Sequence, residues 1–114
     1  MKISEIVKLV EGMAVCGERH LDEEIEFAFA SDLMSDVLTL RNPDFLLITG
    51  LANTQAIRTA EMSDLKYILF ARGKEITPEM LDLANDNDIM LISTRFSVFK
   101  TAGILYAAGL KPVY

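Results

Sequence analysis

The sequence predicts an α/β fold: a small, mostly parallel sheet flanked by helices, with an N-terminal helix and short strands. Three observations carry this. The runs Phe45–Thr49, Tyr67–Phe70 and residues 89–92 are short and continuously apolar, as strands covered on both faces are. Helix-start signals follow each of them, at Asn53, at Thr77-Pro78-Glu79 and at Ser97. Strands joined by helical crossovers pair in parallel, because each return lays a helix across the sheet.

Each element has its own local reason. Ile3, Ile6, Val7 and Val10 recur at helical spacing, which predicts a short first helix ended by Gly12. Met13–Cys16 reads as a short strand, and residues 17–22 as a polar turn. Ile25, Phe27 and Phe29 alternate with Glu24, Glu26 and Ala28, the pattern of a half-buried strand near a sheet edge. Ser31 as N-cap and Asp32 in the first turn predict a helix over residues 32–40, broken by Asn42-Pro43. After the first buried strand, Asn53 caps a helix to about Ser63, with Ala56, Ile57, Ala60 and Met62 turned inward. After the second, a proline at N1 opens a helix that runs to about Asn85. After the third, residues 97–108 form a last helix stopped by Gly109, with Pro112 beyond. The expected core includes Leu47, Ile48, Ile57, Ile68, Leu69, Leu81, Leu91, Ile92 and Leu105.

Composition narrows the class of protein. The chain has 114 residues, which predicts one domain spanning 1–114 with no internal repeat or flexible linker. Half of the residues are apolar (51%) and a quarter charged (25%), enough for a core without disulfides or a structural metal. The single cysteine, Cys16, excludes an intrachain disulfide framework and a cysteine-rich zinc site, and fits a reducing cytoplasm. A formal charge of −6 argues against nucleic acid and anionic membrane as partners. No apolar run approaches the ~20 residues that span a bilayer, and the amphipathic, charged amino end does not read as a signal peptide. The expectation is a soluble cytoplasmic protein.

The inventory of reactive groups mostly eliminates. Cys16 and His20 would have to straddle a tight turn to act as a nucleophile pair, and they read instead as a buried thiol and a solvated imidazole. There is no second histidine for a histidine-rich metal site. Gly73-Lys74 resembles the end of a phosphate loop, but Ile68, inside a strand, stands where that loop needs glycine. The six glycines never reach the spacing of a dinucleotide fingerprint. Asp82, Asp86 and Asp88 with Asn85 and Asn87 suggest a calcium loop, yet Leu91 and Ser97 occupy the positions that require glycine and glutamate. That segment reads as a polar helix end. Asp32 and Asp36, four apart, would share a helix face, most simply as a capped first turn facing water. No nucleophile, acid or metal can be paired with a supporting group, so neither enzymatic activity nor a cofactor is expected.

One constellation remains. Ligands of parallel α/β sheets bind beyond the carboxyl ends of the strands, and there the chain places Thr49-Gly50, Arg72-Gly73-Lys74 and Ser93-Thr94-Arg95. Two arginines and a lysine thus gather at one rim, beside the helix starts at Asn53 and Ser97, whose free N–H groups favour anions. The candidate ligand-binding residues are Thr49, Asn53, Arg72, Gly73, Thr94, Arg95 and Ser97, and the expected ligand is a small anion such as a nucleotide. The simpler alternative is a set of solvated or paired loop charges.

Residues 47–62, LITGLANTQAIRTAEM, with 68–74, ILFARGK, and 91–97, LISTRFS, resemble the DRTGG-domain family. The resemblance runs from the first helix to Gly109. It implies a fold similar to the amino-terminal domain of HPr kinase/phosphorylase, and a regulatory module of the kind found beside CBS domains in regulated pyrophosphatases and within some phosphotransacetylases. Short stand-alone members occur near iron-only hydrogenase and sensor-kinase-like genes of anaerobic bacteria, which implies hydrogenase- or sensor-kinase-related partners. HPr kinase activity is not expected, because it resides in a separate phosphate-loop domain. Where related chains carry Asp-Arg after the first buried strand this one has Leu51-Ala52, and in place of Thr-Gly-Gly it has Ala71-Arg72-Gly73. Gly73 alone carries over. The resemblance also implies a homodimer, toward which Phe27, Phe29 and the six methionines contribute adaptable apolar side chains. A protein-interaction scaffold without a ligand is the competing expectation.

Overall fold

A computed structural model describes residues 1–114. Chain order is α1 (Ile3–Leu9), β1 (Met13–Cys16), a 3-10 turn (Glu18–His20), β2 (Phe27–Ala30), α2 (Met34–Leu38), β3 (Phe45–Thr49), α3 (Thr54–Met62), β4 (Tyr67–Phe70), α4 (Pro78–Asp86), β5 (Met90–Ser93), α5 (Val98–Ala107) and β6 (Lys111–Pro112). The six strands form one sheet in the order β1-β5-β4-β3-β2-β6. All neighbours are parallel except the edge pair β1 and β5. The mixed α/β architecture expected from the sequence is the one observed.

Strand order explains the layers. From β2 through β3 and β4 to β5 the chain steps steadily across the sheet, and α5 then carries it back to the far edge at β6. Right-handed crossovers place helices of opposite travel on opposite faces. Accordingly α2, α3 and α4 cover one face through Met34, Val37, Ala56, Ile57, Ala60, Met80 and Ala84, packed on Phe45, Leu47, Ile68, Phe70 and Leu91. On the other face α1 and α5 bring Ile3, Ile6, Val10 and Leu105 onto Leu46, Ile48, Leu69, Met90 and Ile92. Successive residues of β3, β4 and β5 alternate between the two cores. This is why their sequences are apolar throughout.

The caps are formed as their chemistry predicts. Asn53, Thr77 and Ser97 accept hydrogen bonds from the N–H groups of Ala56, Met80 and Lys100, at 3.1, 3.2 and 3.0 Å. At Gly17 φ is +78°, and a Cβ there would stand 2.7 Å from the Met90 Cα, so the chain can turn closely around β5 only with glycine.

The structure corrects several local readings. α2 begins at Met34 and spans five residues, not 32–40: Ser31 Oγ accepts from Leu33 N–H at 3.0 Å in a local turn, and Asp32 lies outside the helix. Asp32 and Asp36 therefore share no helix face. Ile25 packs on the α1 and α5 side whereas Phe27 and Phe29 pack on the other, so their alternation does not describe one strand face. Met62 is 72% exposed, because α3 turns its apolar stripe inward through Ala56, Ile57 and Ala60. Met80 and Ala84, not Leu81, are the buried residues of α4. The left-handed position after α1 belongs to Glu11, with φ of +49°, one residue before Gly12. The third buried strand is Met90–Ser93 rather than 89–92, and the two-residue β6 was not anticipated. No helix is long and apolar enough to cross a membrane.

Candidate functional site

β4 leads into α4 on one face, and its neighbour β5 leads into α5 on the other. Outside the carboxyl ends of these strands the two outgoing loops part toward opposite faces, which is where ligands of open α/β sheets bind. Arg72 and Gly73 form a tight turn there, both left-handed, with φ of +74° and +63°. Glycine is what such a left-handed turn favours. An arginine held left-handed costs about 1 kcal/mol or more. The strain is offset by two backbone hydrogen bonds: Arg72 N–H donates to Phe96 C=O at 2.7 Å and Gly73 N–H to Thr94 C=O at 2.9 Å.

The seven residues singled out in the sequence divide by role. Thr94 is buried and its hydroxyl is fully used, donating to Val10 C=O at 2.7 Å and accepting from Phe96 N–H at 3.2 Å. It ties the end of β5 to the end of α1. Thr49, also buried, donates to Asp32 Oδ1 at 2.9 Å and accepts from Leu51 N–H at 3.1 Å. Asn53 and Ser97 cap α3 and α5, whose remaining first-turn N–H groups have no intrahelical acceptor. Arg72 extends along Gly50: a Cβ at Gly50 would lie 2.8 Å from Arg72 Cδ and 3.2 Å from one of its guanidinium nitrogens. Gly73, Thr94 and Arg95 instead line a groove of about 280 Å3 with Lys74, Ser93, Glu11, Gly12 and Met13. The structure thus brings Thr49 and Arg72 together around Gly50, and Gly73, Thr94 and Arg95 together in the adjoining groove. Ser97 lines neither, but caps α5 one residue beyond Phe96, whose C=O accepts from Arg72 N–H. None of Arg72, Lys74 and Arg95 forms an ion pair.

Sequence reasoning did not place Asp32 at this rim. Its carboxylate accepts from Gly50 N–H at 2.7 Å as well as from Thr49. The signal that hid it was the Ser31-Asp32 pair, which reads as a helix start.

A second polar cluster lies at the opposite, amino end of the strands. His20 is only 2% exposed rather than solvated. Its Nδ1 lies 2.8 Å from Glu23 Oε1 and its Nε2 3.1 Å from Asp88 Oδ1. Tyr67 donates its hydroxyl to the same Glu23 oxygen, and Arg19 Nε donates to Asp88 Oδ1 at 2.9 Å. The Tyr67 hydroxyl, and more weakly His20, hold Glu23 below the usual carboxylate range against the opposing effect of burial. Burial and Glu23 push the Tyr67 phenol well above its ordinary value. The imidazole and the phenol meet edge to face at 5.8 Å. Only the spacing of His20 and Glu23 was visible in the sequence. Cys16 is the buried thiol expected there, and burial pushes it up and keeps it neutral.

Comparison with known proteins agrees with this architecture. The crystal structure of the CBS and DRTGG domains of the regulatory region of Clostridium perfringens pyrophosphatase, complexed with its activator diadenosine tetraphosphate, superposes with a TM-score of 0.74 at 14% identity, over 98% of this chain. The chain spans 48% of the length of that structure. No curated protein matches in sequence. The family model of the DRTGG domain matches residues 5–108. With both the fold and the sequence match in place, the chain belongs to the DRTGG domain family.

Proposed function

We propose that the chain, acting as one unit over residues 1–114, is a non-catalytic regulatory module that senses a small anion, a nucleotide phosphate being the ligand that best fits its rim. The observation that carries this reading is the convergence of Arg72, Lys74 and Arg95, none of them ion-paired, at the loops where β4 and β5 lead to opposite faces. On a chain of net charge −6, such a local positive field favours an anion over other ligands. Asn53 and Ser97 add helix starts to the same edge, and Thr49 and Thr94 hold the strand ends in place. The similar pyrophosphatase region, complexed with a nucleotide activator, supports the ligand class.

Thermal shift against a nucleotide panel tests the reading, since a ligand at a hundred times its dissociation constant adds about 2.7 kcal/mol to the native state. Arg72→Ala together with Arg95→Ala should abolish that shift. If no nucleotide or other anion raises Tm, the rim reading fails.

A specific observation favours self-association as well. Phe27 and Phe29 are half-buried beneath β2, with Phe29 edge to face against Phe45 at 6.1 Å, so they supply no free surface. α5 does: Phe99 is 89% and Tyr106 69% exposed, beside a groove of about 180 Å3 lined by Ala28, Ala102, Leu105 and Pro112. No Asp or Glu occurs after Asp88, so two acidic copies would meet there with the least repulsion. A homodimer through α5 predicts a dimer mass by light scattering at tens of micromolar, lost in Phe99→Asp. A monomer mass for the unsubstituted chain would remove it.

A further inference from the structure

Asp32 is a carboxylate at a rim read as an anion site, and the geometry shows what it does there. Its Oδ1 accepts from Gly50 N–H at 2.7 Å and from Thr49 Oγ1 at 2.9 Å. These are the two donors at the carboxyl end of β3, and an incoming oxyanion would need them. Oδ2 makes no hydrogen bond. It lies 3.4 Å from the point where a Cβ on Gly50 would stand, and a guanidinium nitrogen of Arg72 lies 3.2 Å from the same point, yet the two close no ion pair. The end of β3 therefore already holds an oxyanion belonging to the chain itself, and the guanidinium stands beside it, short of contact.

We propose that Asp32 is a built-in competitor: its carboxylate occupies the anion position at Thr49 and Gly50, and a phosphate-bearing ligand binds by displacing it. This rests on the rim reading above. A phosphoryl group carries three acceptor oxygens where the carboxylate has two, so it can take the Gly50 and Thr49 donors and also reach Arg72. Little else restrains Asp32. It is exposed, it precedes a helix of only five residues, and that helix has no side-chain cap at its start. Displacement would remove the Asp32 link between the end of β3 and the segment before α2 and loosen the start of that helix; Leu33 just before it and Leu38 at its last position are already exposed, while Met34 and Val37 stay in the core. Ligand binding is thereby linked to a change of surface at α2, which is what a regulatory module needs in order to report occupancy.

Titration calorimetry of the whole chain with ATP and with inorganic tripolyphosphate tests this, in the unsubstituted protein, Asp32→Asn and Arg72→Ala. Asp32→Asn keeps an acceptor for Gly50 N–H and removes the charge, so affinity should rise about tenfold or more. A gain for both probes identifies the phosphate chain as the competing group, and a gain for ATP alone shows that displacement also needs the nucleoside. Unchanged or weaker binding by Asp32→Asn overturns the competitor while leaving the rim reading intact. Binding that Arg72→Ala does not weaken overturns the rim reading itself, and no binding by any form overturns both. Hydrogen exchange of the unsubstituted protein needs no variant: ATP should speed exchange in residues 31–40, and slowed or unchanged exchange there refutes displacement.

Discussion

The two ends of the sheet handle charge in opposite ways. At the amino end, His20, Glu23, Tyr67, Asp88 and Arg19 form a connected set in which each polar group meets a partner and the imidazole is sealed from water. At the carboxyl end, three cations stand without ion pairs, one on a strained backbone; of the carboxylates there, Asp32 accepts from the end of β3 and Glu11 lines the groove with Lys74 and Arg95. A closed network stabilises, because breaking it strands buried groups. An open one leaves binding potential unspent. The two ends are therefore expected to separate stability from binding, and substitutions at each can test that division.

The largest effect is expected from His20→Ala. It empties a buried site and takes one partner from each of Glu23 and Asp88, which keep Tyr67 and Arg19, and should lower unfolding free energy by about 3 kcal/mol in urea denaturation while leaving ATP binding unchanged. Loss of binding without loss of stability would reverse the roles of the two ends.

Tyr67→Phe should cost about 1 kcal/mol near neutral pH, the net value of one hydrogen bond to a charged acceptor at a half-exposed site. Its pH dependence is more informative. Because Glu23 is held below its ordinary value, its contribution is present above about pH 4.5 and is lost as pH falls through the folded-state value. Because the Tyr67 phenol is raised, its contribution is present below about pH 10 and is lost as pH climbs beyond that. Removing the hydroxyl should flatten both limbs of a stability–pH curve; an unchanged acid limb would show that Tyr67 does not set the state of Glu23.

Arg72→Gly acts at the other end with the opposite sign. Relief of the left-handed arginine is partly cancelled by the greater freedom of glycine in the unfolded chain, so stability should rise by less than about 1 kcal/mol while anion affinity falls. A destabilised variant would mean that the Arg72 side chain, and not only the turn, supports the fold.

The smallest effect separates pairing from burial. Lys111 and Glu26 form an ion pair at 3.0 Å, but both side chains are open to water. Lys111→Ala should change stability by less than about 0.5 kcal/mol, far less than His20→Ala. A comparable loss would show that pairing alone, without burial, accounts for the amino end.

Legibility from sequence followed the range of the interactions. Asn53, Thr77 and Ser97 were readable as caps because each acts on an N–H three residues away. Phe45–Thr49 and Tyr67–Phe70 were readable as buried strands because two covered faces leave no polar position to interrupt them. Asp32 was misread because local chemistry pointed to a helix cap, while its partners lie 17 and 18 residues onward. His20 reads locally as a solvated turn residue, since Asp88 reaches it from 68 residues away.

The sequence by itself therefore determined the α/β class, the parallel strands β3, β4 and β5, the starts of α3, α4 and α5 and the gathering of Arg72, Lys74 and Arg95 at one rim. Each of these follows from periodicity, capping or strand direction, which are properties of a few consecutive residues. Only the tertiary structure decided that β1 runs antiparallel at one edge, that α5 crosses to the second face, that Arg72 adopts a left-handed conformation, and that Asp32 seats itself on Gly50. Those depend on which distant segments become neighbours once both faces of the sheet are covered, and no local pattern encodes that choice.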